Sequence, residues 1–278
     1  MNGPPGRTGT YTRTKRDWGK KMATDFSLRD KVAVVTGGAR GLGLEMMRAL
    51  AEAGAAVASV DLLRAQGEEA TRDIARDYGV RAAAYTADVT DAAQVAATFA
   101  AVDRELGAID VLVAAAGIVE NVAAEDVDAA AWRRIIDVNI TGVFLCAQAA
   151  GQAMIAQRGG SIILIASMSG VIANRPQKQT AYNVSKAGVI MIAKSLAAEW
   201  ADRGVRVNAI APGYMRTALT DQVLAGQEGL RETWESYIPL GRMGAPEELR
   251  GAVVYLASPA SSYVTGHALI VDGGYTAW

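Results

Sequence analysis

Lys31-Val-Ala-Val-Val-Thr-Gly-Gly-Ala-Arg-Gly-Leu-Gly43 is the stretch that decides the fold of this chain. It starts with a continuously apolar run, Val32–Thr36, which is typical of a strand buried on both faces of a parallel sheet. The glycines that follow permit a tight turn and a close approach of the backbone to a phosphate group. We therefore predict a strand, a phosphate-binding turn and a helix whose free N–H groups face the anion.

Strand-forming and helix-forming runs alternate along the rest of the chain. The predicted strands are Val32–Thr36, Ala56–Val60, Ala82–Thr86, Val111–Ala114, Ser161–Ala166, Arg206–Ile210 and Ala268–Val271. The predicted helices lie near 42–54, 64–78, 92–106, 129–157, 181–202 and 246–257. This alternation predicts an α/β fold, a single doubly wound Rossmann domain with a parallel seven-stranded sheet and helices on both faces. Ligands of such sheets bind beyond the carboxyl ends of the strands.

Composition bounds the domain and argues against several partners. The 278 residues are 51% hydrophobic, enough for one large domain at 28–278, and the net charge of −1 gives no case for nucleic acid. The single cysteine, Cys146, cannot form an intrachain disulfide, and we expect an inert helical thiol in a cytoplasmic protein. We expect no apolar run of membrane-spanning length, about 18 residues. The lone histidine, His267, has no neighbours for a metal site, so no metal is predicted.

Two segments depart from the alternation. Residues 1–27 form a predicted basic polar tail with five Arg or Lys residues between Arg13 and Lys21. This tail is either a flexible extension or an arm that contacts another subunit. The segment at about 214–244 is predicted to be an inserted loop with short helices, a lid over the substrate rather than a second domain.

Asp61 ends the second predicted strand, eighteen residues after Gly43. A carboxylate at this place accepts hydrogen bonds from the ribose hydroxyls of a dinucleotide and repels a 2′-phosphate, which favours NAD over NADP. Arg40, inside the glycine turn, could instead neutralise a 2′-phosphate. We predict NAD as the cofactor, with NADP as the alternative.

Tyr182 and Lys186 are four residues apart on a predicted helix and therefore share one face. A phenol has a pKa of about 10, and a fixed positive charge nearby favours the phenolate. We expect Lys186 to lower the pKa of Tyr182, which would make the phenol an acid/base group near neutral pH.

With these residues in place, the chain resembles the short-chain dehydrogenase/reductase family across nearly all of 28–278. The motifs that carry the resemblance are Thr36-Gly-Gly-Ala-Arg-Gly-Leu-Gly43, Asp88-Val89, Ala115-Ala-Gly117, Asn139, Ser167, Tyr182-x-x-x-Lys186 and Pro212-Gly213. The resemblance implies a catalytic set of Asn139, Ser167, Tyr182 and Lys186. The cofactor-binding residues it implies, together with Asp61, are Gly37, Arg40, Gly41, Leu42, Gly43, Asp88, Val89, Ala116, Gly117, Tyr182, Lys186, Pro212, Gly213 and Thr217.

The resemblance also implies a role for each member of the catalytic set. Tyr182 exchanges a proton with the substrate oxygen while a hydride moves to or from the nicotinamide. Ser167 hydrogen-bonds that oxygen, Lys186 holds the nicotinamide ribose, and Asn139 anchors a water that links Lys186 to solvent. The protein mainly supplies position and electrostatics, because the hydride chemistry belongs to the cofactor.

Two features depart from the family pattern. The family often has Asn-Asn-Ala-Gly after its fourth strand, where this chain has Ala114-Ala-Ala-Gly117, so we expect less bracing by side chains there. The family also commonly places its serine thirteen residues before the tyrosine, a spacing that would select Ser169. The strand-end pattern Ile165-Ala-Ser167 selects Ser167 instead, and we predict Ser167 as the catalytic serine.

The loop Asn174–Gln179 lies between this serine and the tyrosine, so part of it is expected to face the substrate. Its amide side chains suit hydroxyl groups, and the loop resembles one in family members that oxidise sugar alcohols or reduce ketoses. A polar loop that faces only water is the alternative. The predicted substrate residues are Ser169, Asn174, Gln177 and Trp234.

We thus predict an NAD-dependent oxidoreductase that interconverts a secondary alcohol and a ketone, with a polyol or sugar as the substrate. The alternatives are a reductase of 3-oxoacyl or other hydrophobic ketones and a non-catalytic nucleotide-binding regulatory protein. The helix at 181–202 is apolar nearly all round, and the helix at 129–157 shows a similar excess. These surfaces predict a subunit interface and a homo-oligomer, a tetramer or a dimer.

Overall fold

The computed structural model describes residues 24–278 and confirms the predicted doubly wound α/β fold. Seven strands form one parallel sheet in the order β3-β2-β1-β4-β5-β6-β7. The order reverses between β1 and β4, and this switch point opens a crevice at the carboxyl ends of the strands. The strands are β1 Val32–Thr36, β2 Ala56–Asp61, β3 Ala82–Thr86, β4 Val111–Ala114, β5 Gly160–Ile165, β6 Val205–Pro212 and β7 Ala268–Val271.

Helices connect the strands, and their bounds differ from the predicted ones in two places. The predicted helix at 129–157 is divided by a π-helical turn at Asp137–Gly142, and the one at 246–257 begins with the 3-10 turn Pro246–Leu249. The helices are α1 Gly41–Glu52, α2 Arg64–Tyr78, α3 Ala92–Leu106, α4 Ala129–Ile136, α5 Val143–Ala156, α6 Thr180–Trp200, α7 Ala218–Leu224, α8 Leu230–Ser236 and α9 Arg250–Ala257.

Local residue chemistry explains several helix ends. Asp91 and Asp128 each accept hydrogen bonds from two backbone N–H groups in the first turn of α3 and of α4. Such N-caps each stabilise a helix by about 1 kcal/mol. Helix α2 ends at Gly79, whose left-handed backbone (φ 67°) is readily adopted by glycine.

The sheet is covered on both faces, as β1 illustrates. Its five residues are buried, with Val32 and Val34 in one apolar cluster and Ala33 and Val35 in the other. Side chains of α3, α5 and α6 complete the first cluster, and those of α1, α2 and α9 complete the second. Successive side chains of a strand point to opposite faces, so a continuously apolar strand requires this double cover.

The start of the domain differs slightly from the predicted bound at residue 28. Residues 1–23 of the predicted tail lie outside the described residues. Within residues 24–27, the Asp25 carbonyl accepts a hydrogen bond from Ala260 N at 3.0 Å, and the Phe26 ring lies 6.5 Å from that of Tyr255. The chain therefore contacts the domain a few residues before the buried Leu28.

The helical run Ala129–Ala156 corrects the expectation that no segment has membrane-spanning length. Its 28 residues contain a window with a mean hydropathy of 1.3, long and apolar enough to cross a membrane by length and composition alone. However, the inward face of α5 is part of the core under the sheet, through Cys146, Ala147, Ala150 and Met154. Packing within the domain therefore accounts for the apolar character of this inward face.

The segment 214–244 folds onto the domain through a small apolar cluster of its own. Helices α7 and α8 lie within it, and Trp234 of α8 is only 2% exposed. The cluster joins the segment to the loop after β5 and to the C-terminal residues; its buried members are Met168, Tyr214, Trp234, Ile238, Met243 and Tyr275. The predicted lid is therefore packed beside the residues that follow Ser167.

Candidate active site

The predicted site residues lie in loops and helices at the carboxyl ends of the strands. The glycine turn follows β1, Asp61 ends β2, Ala116 and Gly117 follow β4, and Ser167 follows β5. Helix α6 carries Tyr182 and Lys186. Parallel strands place their carboxyl ends at one edge of the sheet, so residues far apart in sequence meet there.

The glycine turn leaves the start of α1 free for an anion. Gly41 opens the helix, the Arg40 side chain makes no capping hydrogen bond, and the first turn holds no acidic residue. A Cβ atom on Gly41 would meet no atom within 4 Å, so this side of the turn is open. A Cβ atom on Gly43 would lie 2.1 Å from the Gly37 carbonyl oxygen, so the inner side accepts only glycine. Unsatisfied N–H groups at an open helix start fit a diphosphate.

Asp61 is held beside this turn by two backbone hydrogen bonds. Its Oδ2 accepts from Ala39 N at 3.1 Å and its Oδ1 accepts from Leu63 N at 3.0 Å. The carboxylate is thus fixed between the turn and the end of β2, where a dinucleotide places its adenosine ribose. Arg40 is exposed in the same turn.

Asp88 and Val89 follow β3 on the neighbouring side. Asp88 Oδ1 accepts from both Thr90 N and the Thr90 hydroxyl, at 2.9 and 2.7 Å. Val89 is buried against Gly142, where an added Cβ atom would lie 2.7 Å from a Val89 methyl carbon. These contacts place both residues at the same edge as Asp61.

The stretch after β4 is braced by residues other than the amides common in the family. Thr36, buried at the end of β1, accepts from Ala115 N with its carbonyl and from Ala116 N with its hydroxyl, at 3.2 and 3.3 Å. The Asn139 amide bonds both backbone groups of Ile118, each at 2.8 Å. Side-chain bracing is therefore present, and the expected loss of bracing is corrected.

Asn139 lies in the π-helical turn between α4 and α5 and is fully buried. Its Nδ2 also donates to the Ser185 hydroxyl at 3.0 Å, and that hydroxyl donates to the Tyr182 carbonyl at 2.7 Å. Asn139 thus connects the end of β4 with the first turns of α6. Ser185 is not predictable from the sequence, because a serine inside a helix carries no distinctive signal.

Tyr182 and Lys186 are brought together as the spacing predicts. Lys186 Nζ lies 5.6 Å from the centre of the Tyr182 ring and donates to the Ile165 carbonyl at 2.9 Å. Burial lowers the pKa of Lys186 from 10.5 to about 8. Burial raises the pKa of Tyr182, and the nearby Ser167 hydroxyl only partly opposes that rise. The net shift in the pKa of Tyr182 is therefore upward, because desolvation dominates, and the contribution of Lys186 stays a prediction.

The two candidate serines have different surroundings. The Ser167 hydroxyl lies close enough to the Tyr182 phenol to oppose the rise in its pKa, and its oxygen accepts from Ser169 N at 3.1 Å. Ser169 donates its hydroxyl to Asn174 Oδ1 at 2.9 Å and accepts from Gln179 Nε2 at 3.1 Å. The Ser169 hydroxyl is therefore occupied within the protein, whereas Ser167 lies against the acid/base candidate.

The loop that follows these serines uses its amides internally. Asn174 is buried and donates to the Tyr214 hydroxyl at 3.0 Å. Gln177 donates to the same hydroxyl at 2.6 Å and accepts from Trp234 Nε1 at 3.1 Å. The predicted substrate residues Asn174, Gln177 and Trp234 therefore form a frame that supports the site. The alternative of a loop that faces only water is also at odds with this burial.

The end of β6 brings the last predicted cofactor residues to the site. Pro212 pairs with Val271, and Gly213 N donates to the Val271 carbonyl at 2.9 Å. Thr217 caps α7, where its hydroxyl accepts from Thr220 N at 3.2 Å. Thr217 thus has a structural partner at the place predicted to contact the nicotinamide.

Space and polar groups beside Lys186 also fit the nicotinamide end of a dinucleotide. A Cβ atom on Gly117 would lie 3.2 Å from Asn139 Oδ1 and 3.4 Å from Lys186 Nζ, so glycine keeps the approach to the ammonium free. Within residues 24–278, no group of three or more His, Cys, Asp or Glu side chains is placed to hold a metal ion. The donors at this edge therefore suit phosphate and ribose hydroxyls.

A doubly wound parallel sheet with an open glycine turn and a Tyr–Ser–Lys group at the carboxyl ends of its strands defines a nicotinamide-dependent oxidoreductase. The chain belongs to the short-chain dehydrogenase/reductase family, and a family profile described as Enoyl-(Acyl carrier protein) reductase matches residues 37–276.

Several proteins that are similar to this chain are named as dehydrogenases. The chain is 45% identical to galactitol 2-dehydrogenase (L-tagatose-forming) of Cereibacter sphaeroides, over 92% of this chain and 98% of that protein. It is 44% identical to NADP-dependent mannitol dehydrogenase of Hypocrea jecorina, over 90% and 94% of the two chains. A solved short-chain type dehydrogenase/reductase from Mycobacterium marinum superposes with a TM-score of 0.87 at 45% identity, covering 91% of this chain and 98% of that one.

The lowered pKa of Lys186 predicts a pH-dependent stability difference. Between pH 8 and 10.5 the unfolded chain binds more protons at this lysine than the folded chain does, so folding becomes more favourable as pH rises. Lys186→Met removes this dependence. In urea unfolding without nucleotide, we expect the wild type to gain roughly 1–3 kcal/mol relative to the variant between pH 7.5 and 10.5.

The exposed Lys194 on the same helix offers a matched control. For Lys194→Met we expect a difference from wild type that stays constant across the same pH range. A constant difference for Lys186→Met as well would contradict the burial of an ammonium at this position.

Proposed function

We propose that the protein is an NAD-dependent dehydrogenase that oxidises a secondary alcohol of a polyol or sugar and reduces the corresponding ketone. The observation that carries this proposal is the group of Tyr182, Ser167 and Lys186 at the switch point of the sheet. The similarity to named galactitol and mannitol dehydrogenases supports a polyhydroxylated substrate.

In this proposal each residue acts through an atom whose surroundings the structure describes. The bound nicotinamide supplies the hydride chemistry. Tyr182 gives its phenolic proton to the ketone oxygen and takes it back when the alcohol is oxidised, while Ser167 orients that oxygen by a hydrogen bond. Lys186 would donate to a ribose hydroxyl of the cofactor, and its Nζ lies 5.6 Å from the centre of the Tyr182 ring.

A substrate panel tests the proposal directly. Purified protein is mixed with NAD or NADP and with galactitol, mannitol, sorbitol or arabinitol, and absorbance at 340 nm is followed. We expect reduction of NAD with at least one polyol. Hydrophobic ketones with NADPH are the comparison set, and turnover confined to that set would show that the substrate class is wrong.

We also propose NAD as the preferred cofactor, on the position of Asp61 beside the glycine turn. Replacing Asp61 with Ser removes both the acceptor for ribose hydroxyls and the charge that repels a 2′-phosphate. We expect the NAD/NADP ratio of kcat/KM to fall by about 10- to 100-fold, the effect of one or two hydrogen bonds to a charged group.

Asp61→Asn is the control for shape. The amide retains an oxygen that can accept from Ala39 N or Leu63 N, but the negative charge is lost. We therefore expect this variant to use NADP better than the wild type does, while the turn stays folded. A wild type that prefers NADP would contradict the assignment and would indicate that Arg40 decides the cofactor.

Two further features belong to the proposal. Helices α5 and α6 expose Phe144, Val184 and Met191, the last with 58% of its surface accessible, and we propose that this face contacts another copy of the chain. Light scattering measures the number of copies of the chain in the assembly.

A cytoplasmic location is also part of the proposal. It is supported by the single Cys146, a buried thiol whose pKa burial raises to about 12.

A further inference from the structure

The Tyr214 hydroxyl joins three parts of the site. Tyr214 directly follows the Pro212-Gly213 pair at the end of β6 and is 8% exposed. Its oxygen accepts from Asn174 Nδ2 at 3.0 Å and from Gln177 Nε2 at 2.6 Å, and its proton is donated to the Arg175 carbonyl at 3.1 Å. One proton and two lone pairs are all used, so the hydroxyl is saturated.

These bonds hold one segment, which we term the substrate loop, Val171–Gln179. From Asn174 the hydrogen bonds continue to Ser169, whose backbone N–H donates to the Ser167 hydroxyl oxygen. Ser167 is in turn the residue whose hydroxyl opposes the rise in the pKa of Tyr182. A continuous series of hydrogen-bonded residues therefore leads from Tyr214 to Ser167, beside the acid/base candidate.

The same tyrosine also fixes the lid side of the loop. The Tyr214 ring stacks on Trp234 with 4.2 Å between ring centres and 7° between the planes. Trp234 Nε1 donates to Gln177 Oε1, so the stacked pair contacts the loop through both a phenol and an indole. The Tyr275 ring packs edge-on against Tyr214 with 5.6 Å between ring centres, and its hydroxyl bonds only the backbone of Arg175, accepting from Arg175 N at 3.2 Å.

We propose that Tyr214 is a positioning residue that fixes the substrate loop against α8 and thereby sets the affinity for the substrate. The identity of the substrate rests on the proposed function, whereas the role of Tyr214 in holding the loop does not. Tyr214 does not transfer a proton, because burial raises its pKa and its hydroxyl has no free position. The loop lies between Ser167 and Tyr182, so a shift of the loop displaces the place where the substrate is held.

Tyr214→Phe tests this role because it keeps the ring that stacks on Trp234. The variant leaves the side-chain amides of Asn174 and Gln177 without their shared acceptor, while the Arg175 carbonyl keeps the Tyr275 hydroxyl as a donor. Amide groups that lose their partner within the protein cost free energy, so we expect the loop to rearrange. We expect the KM for the polyol to rise at least tenfold. We expect kcat to change less than threefold and the Kd for NADH less than twofold, and the stoichiometry of NADH binding counts the folded sites.

Tyr275→Phe is the matched control, since its hydroxyl bonds the backbone of the same loop but neither amide. We expect its KM to stay within twofold of wild type. Gln177→Met provides a second variant. In the double variant with Tyr214→Phe, the fold-rise in KM should be smaller than the product of the two separate fold-rises, because both substitutions act on one hydrogen-bond network.

Amide hydrogen exchange of peptides over 171–179 needs no substrate and separates this inference from the proposed function. We expect exchange in this loop to speed up at least tenfold in Tyr214→Phe while β5 stays protected. If no polyol is a substrate, the proposed function fails, and KM is measured with whichever alcohol or ketone the wild type converts. A KM equal to that of Tyr275→Phe, with unchanged exchange in the loop, would overturn the role of Tyr214.

Discussion

Replacing Tyr182 with Phe is expected to reduce turnover by about 10²- to 10⁴-fold, the usual contribution of a positioned acid/base group. The phenol is the acid/base candidate beside Ser167 and Lys186, and Lys186 Nζ lies 5.6 Å from the centre of its ring. The ring of Phe fills the same volume, so the packing on α6 should persist. The measurement is kcat at saturating nucleotide and substrate, in both reaction directions.

The control for this variant is nucleotide binding. A fluorescence titration with NADH should give a Kd within about threefold of wild type, because the phenol oxygen contributes at most one hydrogen bond to binding. Tyr85→Phe, which removes a phenol on β3 that donates to Glu105, should leave turnover unchanged. Full activity of Tyr182→Phe would show that another group moves the proton.

Replacing Ser167 with Ala is expected to lower kcat by about 10²- to 10³-fold, comparable with loss of one donor that stabilises a developing oxyanion. The Ser167 hydroxyl oxygen accepts from Ser169 N, which leaves the hydroxyl proton available to the substrate oxygen. The variant keeps the local turn, since the backbone bond from Gly170 N to the Ser167 carbonyl does not involve the side chain.

Ser169→Ala is the companion variant. Its hydroxyl bonds Asn174 and Gln179 inside the loop, so we expect a loss of stability and a rise in KM but less than about a tenfold fall in kcat. Wild-type-like kcat in Ser167→Ala beside an inactive Ser169→Ala would reverse the assignment of the two serines.

The fold could be predicted because its signals are local and periodic. Strands such as Val32–Thr36 are continuously apolar, and the glycine turn has a meaning that depends only on nearby residues. Strand bounds were predicted to within two residues. The break at Asp137–Gly142 was not, because a π-helical turn continues the helical pattern of side chains with only one extra residue per turn.

The candidate site was predictable in its residues but less so in its electrostatics. Tyr182 and Lys186 do meet, yet the direction of the pKa shift of Tyr182 was missed because burial cannot be read from a four-residue spacing. Thr36, Ser185 and Tyr214 carry contacts that hold the site, but each is a common residue type whose partner lies far away in sequence. Their roles depend on tertiary contacts.

The binding partners of the loop Asn174–Gln179 also could not be predicted from the sequence. Its amides suggested contact with substrate hydroxyls, since amides suit such ligands. In the structure, the neighbouring Ser169 and Tyr214 satisfy those groups within the protein. Composition can indicate that a loop forms hydrogen bonds, but it does not indicate whether the partner is a ligand or another side chain.

Transfer of deuterium from a labelled polyol tests the central claim most directly. The polyol carries deuterium on the carbinol carbon that is oxidised, and the protein is incubated with it and NAD. Mass spectrometry then measures the reduced nucleotide and the ketose. We predict one deuterium per NADH and an equal amount of ketose, with both formed at least about 100-fold more slowly by Tyr182→Phe at the same protein concentration. Formation of neither product from any polyol, by a protein that reduces hydrophobic ketones with NADPH, would contradict the account.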